Sequence, residues 1–329
     1  MTLLDHATAE RLCSTALGQP VQVDHLRRLR GGTKKGVFRV GTTDGRSVVL
    51  YVWHPEEDWW HGSQDPAADV EPFTAANGLH LLTGAHAVLT AVGVRVPRVL
   101  STEEGGRSGV PDTAVVEDVP GASLADLLDS DRVATGVLAD LRGHLHRLAA
   151  TRNPRWGKVG RPGVGPDAQP QVPFHEVVLT RAERHLQAAA AREARLDRVT
   201  GSVGAALRDR AAAVRPRDQA GYGLVHGELG PDHVLLDREH RPVLVDLEGV
   251  MWADVEWEHA FLALRFGDHY EALRLPGLDP ARLGLYRLAL HLSLVEGPLR
   301  LIDQGLANSG FMAEIAEHNL HEVLAAVSG

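Results

Sequence analysis

His226, Glu228, His233, Asp246 and Glu248 lie within one segment, LVHGELGPDHVLLDREHRPVLVDLEG, residues 224–249. Carboxylates and imidazoles gathered on loops can hold a divalent cation and orient a hydroxyl for reaction. Read locally, Leu224-Val225 ends a strand, residues 226–233 form a polar loop, and Val234 to Leu236 is a short strand. Asp237 to Arg241 then makes a turn and Val243 to Asp246 a second strand. This hairpin predicts Glu228, His233 and Asp246 near one end of the same small sheet. Glu248, two residues beyond Asp246, shares its face of an extended segment and so reaches the same ion. All of these residue types are also common in plain surface turns, and Glu248 could equally brace an arginine. Spacing alone leaves those readings open.

The segment needs elements to position it, and the flanking sequence supplies them. After an amphipathic N-terminal helix, residues 21–29, 37–43 and 47–53 alternate with glycine turns and predict three strands. Asp44-Gly45 marks the hairpin between the last two. Residues 54–70 read as a loop. Leu79, Leu82, His86 and Leu89 recur at helical spacing and predict a helix over about 71–92. Val94 to Pro97 and Thr113 to Glu117 read as further strands, with Ser123 as the N-cap of a helix from Leu124. Helices follow over about 132–150, 174–196 and 199–214, separated first by a Pro- and Gly-rich loop at 153–173. The β segment at 222–247 comes next, then two or three helices. The predicted fold class is α+β with two lobes, a small antiparallel β lobe (1–118) and a larger mainly helical lobe (119–329). Pro120-Gly121 is the hinge between them.

The composition excludes several functions. With 329 residues, 44% hydrophobic and 23% charged, the chain reads as an ordinary globular protein. A net charge of −9 argues against a nucleic-acid partner, since phosphate backbones attract basic faces. A single cysteine, Cys13, forms no internal disulfide and fits a reducing cytoplasm. No apolar run approaches the length of a membrane span. Asp5, His6 and Glu10 interrupt what a secretory signal would keep apolar. The 18 histidines show no zinc-type spacing. A cytoplasmic protein without nucleic-acid or membrane partners is expected.

Segment 224–249 resembles the catalytic loop and metal motif of the aminoglycoside phosphotransferase and choline kinase-like superfamily, which has a protein kinase-like fold. That pattern runs His-Gly-Asp, four residues, Asn, a hairpin, then the metal-binding Asp. His226, Gly227 and Asp246 match, while Glu228 stands at the catalytic Asp position and His233 at the Asn position. Asp254 to Glu258 resembles the acidic pair that follows and braces the catalytic loop. Upstream, Arg30 to Phe38 is similar to the nucleotide-covering turn, Val48 to Val52 to the third strand, and Ala114 to Leu124 to the hinge. Arg142 to Leu148 is similar to the helix that backs the catalytic loop. The resemblance covers roughly residues 20–270.

It implies a phosphotransferase that moves the γ-phosphate of ATP (or GTP) to a hydroxyl of a small molecule, with Mg²⁺ or the softer Mn²⁺. Asp246, with His233 and Glu248, would hold the metal, and Glu228 would orient or deprotonate the acceptor. Gly31, Gly32, Lys34 and Lys35 would contact the phosphates, and the backbone of Glu117 and Val119 the base. Asp254, Glu256, Asp268 and Glu296 are candidate acceptor contacts, an acidic set suited to an amine-bearing metabolite or antibiotic, hence antibiotic resistance. Three departures stand out: Tyr51 replaces the third-strand lysine, Glu228 carries one methylene more than Asp, and His233 is a nitrogen ligand where magnesium prefers oxygen. Lys34 or Lys35 would supply the missing positive charge, unless they tip a solvated hairpin. The departures also motivate a nucleotide-binding pseudokinase as the alternative. The first-lobe helix offers Glu71, Asn77 or His80 as the lysine's partner. Trp53 is expected in the core, and Trp59 or Trp60 in packing or a lid.

Overall fold

The computed structural model describes residues 4–29, 34–58, 72–73, 77–105, 111–128, 135–160, 172–217, 221–305 and 309–328. Helix α1 (His6–Leu17) is capped by the Asp5 carboxylate, which accepts from Thr8 N at 2.8 Å, and ended by Gly18 in the left-handed conformation. Strands β1 (Val23–Arg28), β2 (Gly36–Thr42) and β3 (Ser47–Trp53) follow, with Gly45 at φ 80° turning the β2–β3 hairpin. Helix α2 (Leu79–Ala91) precedes β4 (Val99–Glu103) and β5 (Asp112–Glu117). The five strands form one antiparallel sheet in the order β1-β2-β3-β5-β4. The strand expected at 94–97 begins instead at Val99. Pro97 cannot donate to a ladder, so pairing starts beyond it.

Strand β3 is almost wholly apolar because both faces of the sheet are covered. Val48, Leu50 and Val52 pack with Leu12 and Cys13 of α1 on the outer face, and burial raises the Cys13 thiol to about 11. Val49, Tyr51 and Trp53 alternate onto the inner face, where they join Leu82, Ala85 and Leu89 of α2 and side chains of the second lobe. Tyr51, at the place of the expected lysine, is therefore a buried core residue.

The second lobe contains α3 (Leu124–Leu128), α4 (Thr135–Ala150), β6 (Arg152–Asn153), β7 (Gly157–Lys158), α5 (Phe174–Ala190), α6 (Ala194–Asp197) and α7 (Thr200–Ala212). It continues through β8 (Tyr222–Val225), β9 (Val234–Leu236), β10 (Pro242–Leu244) and β11 (Met251–Ala253). Helices α8 (Val255–Phe266), α9 (Tyr270–Leu273), α10 (Pro280–Asp303) and α11 (Ser309–Ala325) complete it. The helix expected over 174–196 is broken at 191–193, where Glu193 caps α6 by accepting from Arg195 N at 2.9 Å. Residues 224–247 do not join the first-lobe sheet. They also do not form a single sheet of their own: β9 and β10 make a separate hairpin, while β8 lies in a four-stranded sheet ordered β6-β8-β11-β7. Among the described residues no helix is long and apolar enough to cross a membrane.

The connection between the lobes is held at both ends. Asp118 accepts from Arg39 at 2.9 Å and from Ser47 Oγ at 2.6 Å, tying the exit of β5 back to β2 and β3. Beyond Pro120, Leu236 N donates to Ala122 O at 3.1 Å and Ser123 bridges Leu235, so the incoming chain is stitched to β9. Ser123 caps α3 as expected, its hydroxyl accepting from Asp126 N at 3.1 Å.

Gly121 lies so close to β9 that a Cβ there would fall 1.8 Å from Leu236 O. Gly121→Ala is expected to cost about 1–3 kcal/mol through this backbone collision and to lower the thermal unfolding midpoint. Gly201→Ala, in α7 where an added Cβ meets nothing within 4 Å, is expected to gain about 0.5 kcal/mol and serves as the control in the same melting experiment.

Candidate active site

Strand β8 delivers His226 to the inside of the second lobe, where it is fully buried and stacks on His233, ring centroids 5.9 Å apart. Its Nε2 lies 2.9 Å from Val245 O. A carbonyl only accepts, so Nε2 carries the proton. Burial, helped by His233, lowers the His226 pKa to about 4, and the ring is neutral. The loop that follows is fixed to the segment before Asp246 by this bond. Gly227, at φ 93°, donates its N–H to Glu258 Oε2 at 2.8 Å, and a Cβ on it would fall 2.7 Å from Gly249 O. Only glycine fits a backbone lying that close to the turn after β10. Glu258 thus braces the loop, as the resemblance implies. Burial raises its carboxyl to about 7, against the backbone donors of Gly227, His226 and Leu229.

His233 ends a one-turn helix, Pro231–His233, and its Nδ1 meets Glu228 O at 2.8 Å. Nδ1 must therefore be the donor, and Nε2 lies 3.7 Å from Asp246 Oδ2. Asp246 itself has φ 62° and ψ 57°, a left-handed conformation rare outside glycine. Such a residue is held by its surroundings, and functional sites are where these cluster. Glu228 is exposed at the same mouth. Its carboxyl is held below the ordinary value, first by Lys34, against burial and Asp246, with further help from Lys158 and His233. It is ionised at neutral pH.

The first lobe reaches this site through Lys35, at the entry to β2. Its Nζ lies 2.7 Å from Asp246 Oδ1 and 2.6 Å from Glu248 Oε1, and 5.0 Å above the Tyr51 ring. Lys35 thus stands over Tyr51, the residue at the β3 position where the resemblance implies a lysine. Burial opposes the ammonium, but the Glu248 and Asp246 carboxylates overcome it and raise its pKa. Burial also pushes the Tyr51 hydroxyl up to about 12, so Tyr51 contributes a neutral ring. The lysine's partners come from the second lobe. Asn77 bonds Asp58 at 2.8 Å, and Glu71 lies outside the described residues, as do Gly31, Gly32, Trp59 and Trp60.

Not every expected site residue gathers here. Asp254 and Glu256 are buried and belong to an ion network. Asp254 accepts from Arg217, from Arg282 at 3.0 Å and from Tyr286, while Glu256 accepts from Arg217 at 2.7 Å and from Asp279 N at 3.0 Å. Glu296 is fully buried in α10 and pairs with Arg300 at 3.1 Å. The oxygens of these three are occupied by protein donors, unlike those a free acceptor contact would offer. Asp268 is exposed on the turn after α8. Glu117 bonds Arg95 at 2.6 Å, and its own N–H donates to Arg98 O at 2.9 Å, while Val119 is buried. One cation was missed altogether. Lys158, in the two-residue strand β7, is 5% exposed and feels the charges of Lys34, Glu228 and Glu248. It lay in a segment read as loop, with no spacing to mark it.

The residues fit a nucleotide-bound Mg²⁺ through Asp246 and Glu248. Glu248 Oε2 is buried with no hydrogen-bond partner, and the two carboxylates already hold a cation, the Lys35 ammonium, between them. Among the described residues no three His, Cys, Asp or Glu side chains converge as a metal site. Magnesium needs no more than one or two carboxylates when phosphates and water complete its shell.

The phosphotransferase enzyme family, APH, matches residues 25–289. The chain belongs to this family. This phosphotransferase superposes on the aminoglycoside phosphotransferase APH(4)-Ia with a TM-score of 0.66 at 17% identity, covering 99% of this chain and 100% of that one. For the choline kinase LicA from Streptococcus pneumoniae the TM-score is 0.61 at 12% identity, covering 97% and 98%. At these identities the likeness is one of fold. No curated protein matches the sequence.

Two stability predictions follow from the site's charges. Lys35→Met leaves the buried Glu248 carboxylate without its cation beside the half-exposed Asp246 and is expected to cost about 3–5 kcal/mol. Lys35→Met combined with Glu248→Gln should regain most of that loss in denaturant melts, which a purely steric effect would not. His144, His226 and His259 are each lowered by burial to about 4 from an ordinary 6.5. Between those values the unfolded chain binds more protons, so stability rises with pH and is lost on acidification. Glu258, raised from 4.5 to about 7, acts oppositely, binding its proton in the folded state across that window. Three groups outweigh one. The unfolding temperature is expected to fall as pH drops from about 6.5 to about 4, measured by calorimetry across that range.

Proposed function

We propose that this phosphotransferase moves the γ-phosphoryl group of ATP (or GTP) onto a hydroxyl of a small molecule. The observation carrying this reading is that Glu228 and Asp246 each feel one of two adjacent first-lobe lysines. Lys34 is the main influence on Glu228, and Lys35 bonds Asp246. Residues 1–118 would then cover the nucleotide and residues 119–329 carry the catalytic loop and acceptor site.

In the transfer, the acceptor oxygen forms a bond to the γ-phosphorus as the bond to the β,γ-bridging oxygen breaks, and the hydroxyl proton passes to Glu228. Most of the acceleration in such a reaction comes from alignment and charge neutralisation. Mg²⁺, held by Asp246 and Glu248 with His233 alongside, would neutralise phosphate charge. Glu228 is ionised and can receive the proton. Its backbone oxygen is fixed by His233, and the Glu258 brace holds the loop from behind. Lys35, preformed at the cleft, would meet the phosphates as a point charge. A nucleotide-binding protein without turnover is not favoured: the chain's family is one of phosphotransferases, and Lys35 supplies the charge that Tyr51 lacks.

The acceptor is open in class. An aminoglycoside phosphotransferase of this fold binds hygromycin B together with AMP-PNP, and another neighbour is a choline kinase. Aminoglycosides, choline and related amino alcohols are therefore the first acceptors to screen, even though three of the four acidic side chains expected to bind an amine are paired internally. With an acceptor in hand and chemistry rate-limiting, Glu228→Gln is expected to keep nucleotide affinity and lower kcat by about a hundredfold or more. Asp246→Ala should abolish ADP release at saturating Mg²⁺. Unaltered kcat in the glutamine variant would reduce Glu228 to a structural turn residue.

A further inference from the structure

Lys158 is a buried cation that the transfer described above does not use. It sits in β7, paired with Met251 of β11, and the adjacent Val159 N donates to Val250 O at 3.1 Å. Its backbone is thereby fixed to the strand that leaves the metal-holding turn. On its other side Gly160 lies against α2, since a Cβ added to Gly84 would fall 2.6 Å from Gly160 Cα. The side chain is 5% exposed, and among the described residues no carboxylate comes within ion-pair distance of its ammonium. A buried charge without a partner is costly, and folded proteins ordinarily neutralise or pair it.

The charges around Lys158 are those of the site. Lys34 enters from the start of β2, Glu228 from the catalytic loop and Glu248 from the turn after Asp246. Lys158 and Lys34 thus both act on Glu228, each favouring its ionised form. Burial and then Lys34 lower the Lys158 pKa to about 8, which leaves it protonated at neutral pH. Glu248 is already paired with Lys35, so two cations, Lys34 and Lys158, remain beside the one carboxylate of Glu228. That leaves one positive charge for an anionic oxygen to meet.

On the phosphotransferase reading above, on which this inference rests, we propose that Lys158 is the fixed cation that meets the oxygens of the phosphoryl group as it passes from nucleotide to acceptor. Charge in such a transition state is spread over the three equatorial oxygens, and a donor held in place beforehand needs no reorganisation to stabilise it. The strand pairing of β7 provides that fixation. Lys158 makes and breaks no bond. The new bond is acceptor oxygen to phosphorus, the broken one is phosphorus to the bridging oxygen, and Glu228 takes the proton.

The test needs no acceptor. Binding of ADP and of ADP with aluminium fluoride, a mimic of the phosphoryl group in flight, is measured with Mg²⁺ for wild type, Lys158→Met and Lys158→Arg. Wild type is expected to bind the fluoride complex more tightly than ADP. Lys158→Met should keep ADP affinity but lose about a hundredfold of that gain, in line with loss of one preorganised donor. Lys158→Arg should retain part of it. Lys158→Met should also melt at a higher temperature than wild type at pH 7, because it removes an unpaired buried charge. That difference should shrink between pH 8 and 10.5, as the folded wild type sheds the proton that the unfolded chain still holds. A fluoride gain undiminished in Lys158→Met, equal losses for ADP and its fluoride complex, or no gain in wild type would each overturn the proposal. Wild type that binds no ADP at all would instead overturn the phosphotransferase reading itself. Should the methionine variant not fold, Lys158→Gln gives the same comparison.

Discussion

The contact on which the site depends is the ammonium of Lys35 between Asp246 and Glu248. It is the only point in the cleft where a first-lobe charge is satisfied by second-lobe carboxylates among the described residues. Lys35 and Glu248 are both buried, so neither is tolerable alone. The register of β2 on β3, which pairs Gly36 with Val52 and Val37 with Tyr51, sets the height at which Lys35 leaves the sheet. Alternation along β3 then places the Tyr51 ring beneath it.

A second layer of constraint lies behind the cleft. The catalytic loop has no regular structure, and its backbone groups need partners. Glu258 supplies one to Gly227, Val245 receives the proton of His226, and Glu228 O receives that of His233. Each bond joins the loop to a different element: α8, the exit of β10 and the one-turn helix. The loop is therefore fixed in three directions, while the Glu228 carboxylate projects into water.

The acidic residues after β11 play a part different from that suggested by their charge. Asp254 and Glu256, with Arg217, Arg282, Asp279 and Tyr286, form a closed network that fixes the start of α8 against α10. Since Glu258 projects from the same helix, that network also determines where the brace of the catalytic loop stands. Buried carboxylates of this kind satisfy guanidinium groups and have no oxygen to offer a ligand.

Local patterns in the sequence decided most of the architecture. The apolar run of β3, the Asp44-Gly45 hairpin and the Ser123 cap are short-range features, and the chain places them where the patterns put them. His233 and Asp246 flank the β9–β10 hairpin, so their nearness was local, whereas His226 and Glu228 arrive from β8 in a different sheet. The tertiary structure decided the rest, because charge pairing between distant segments leaves no periodic trace. Lys35 chose carboxylates far along the chain rather than a helix residue close by. Asp254, Glu256 and Glu296 read as free acids until the arginines opposite them were in place. Lys158, on a strand too short to show alternation, became part of the site only when β7 paired with β11. Residue types and local spacing fix which groups are available. Burial and long-range pairing fix which of them remain free to act.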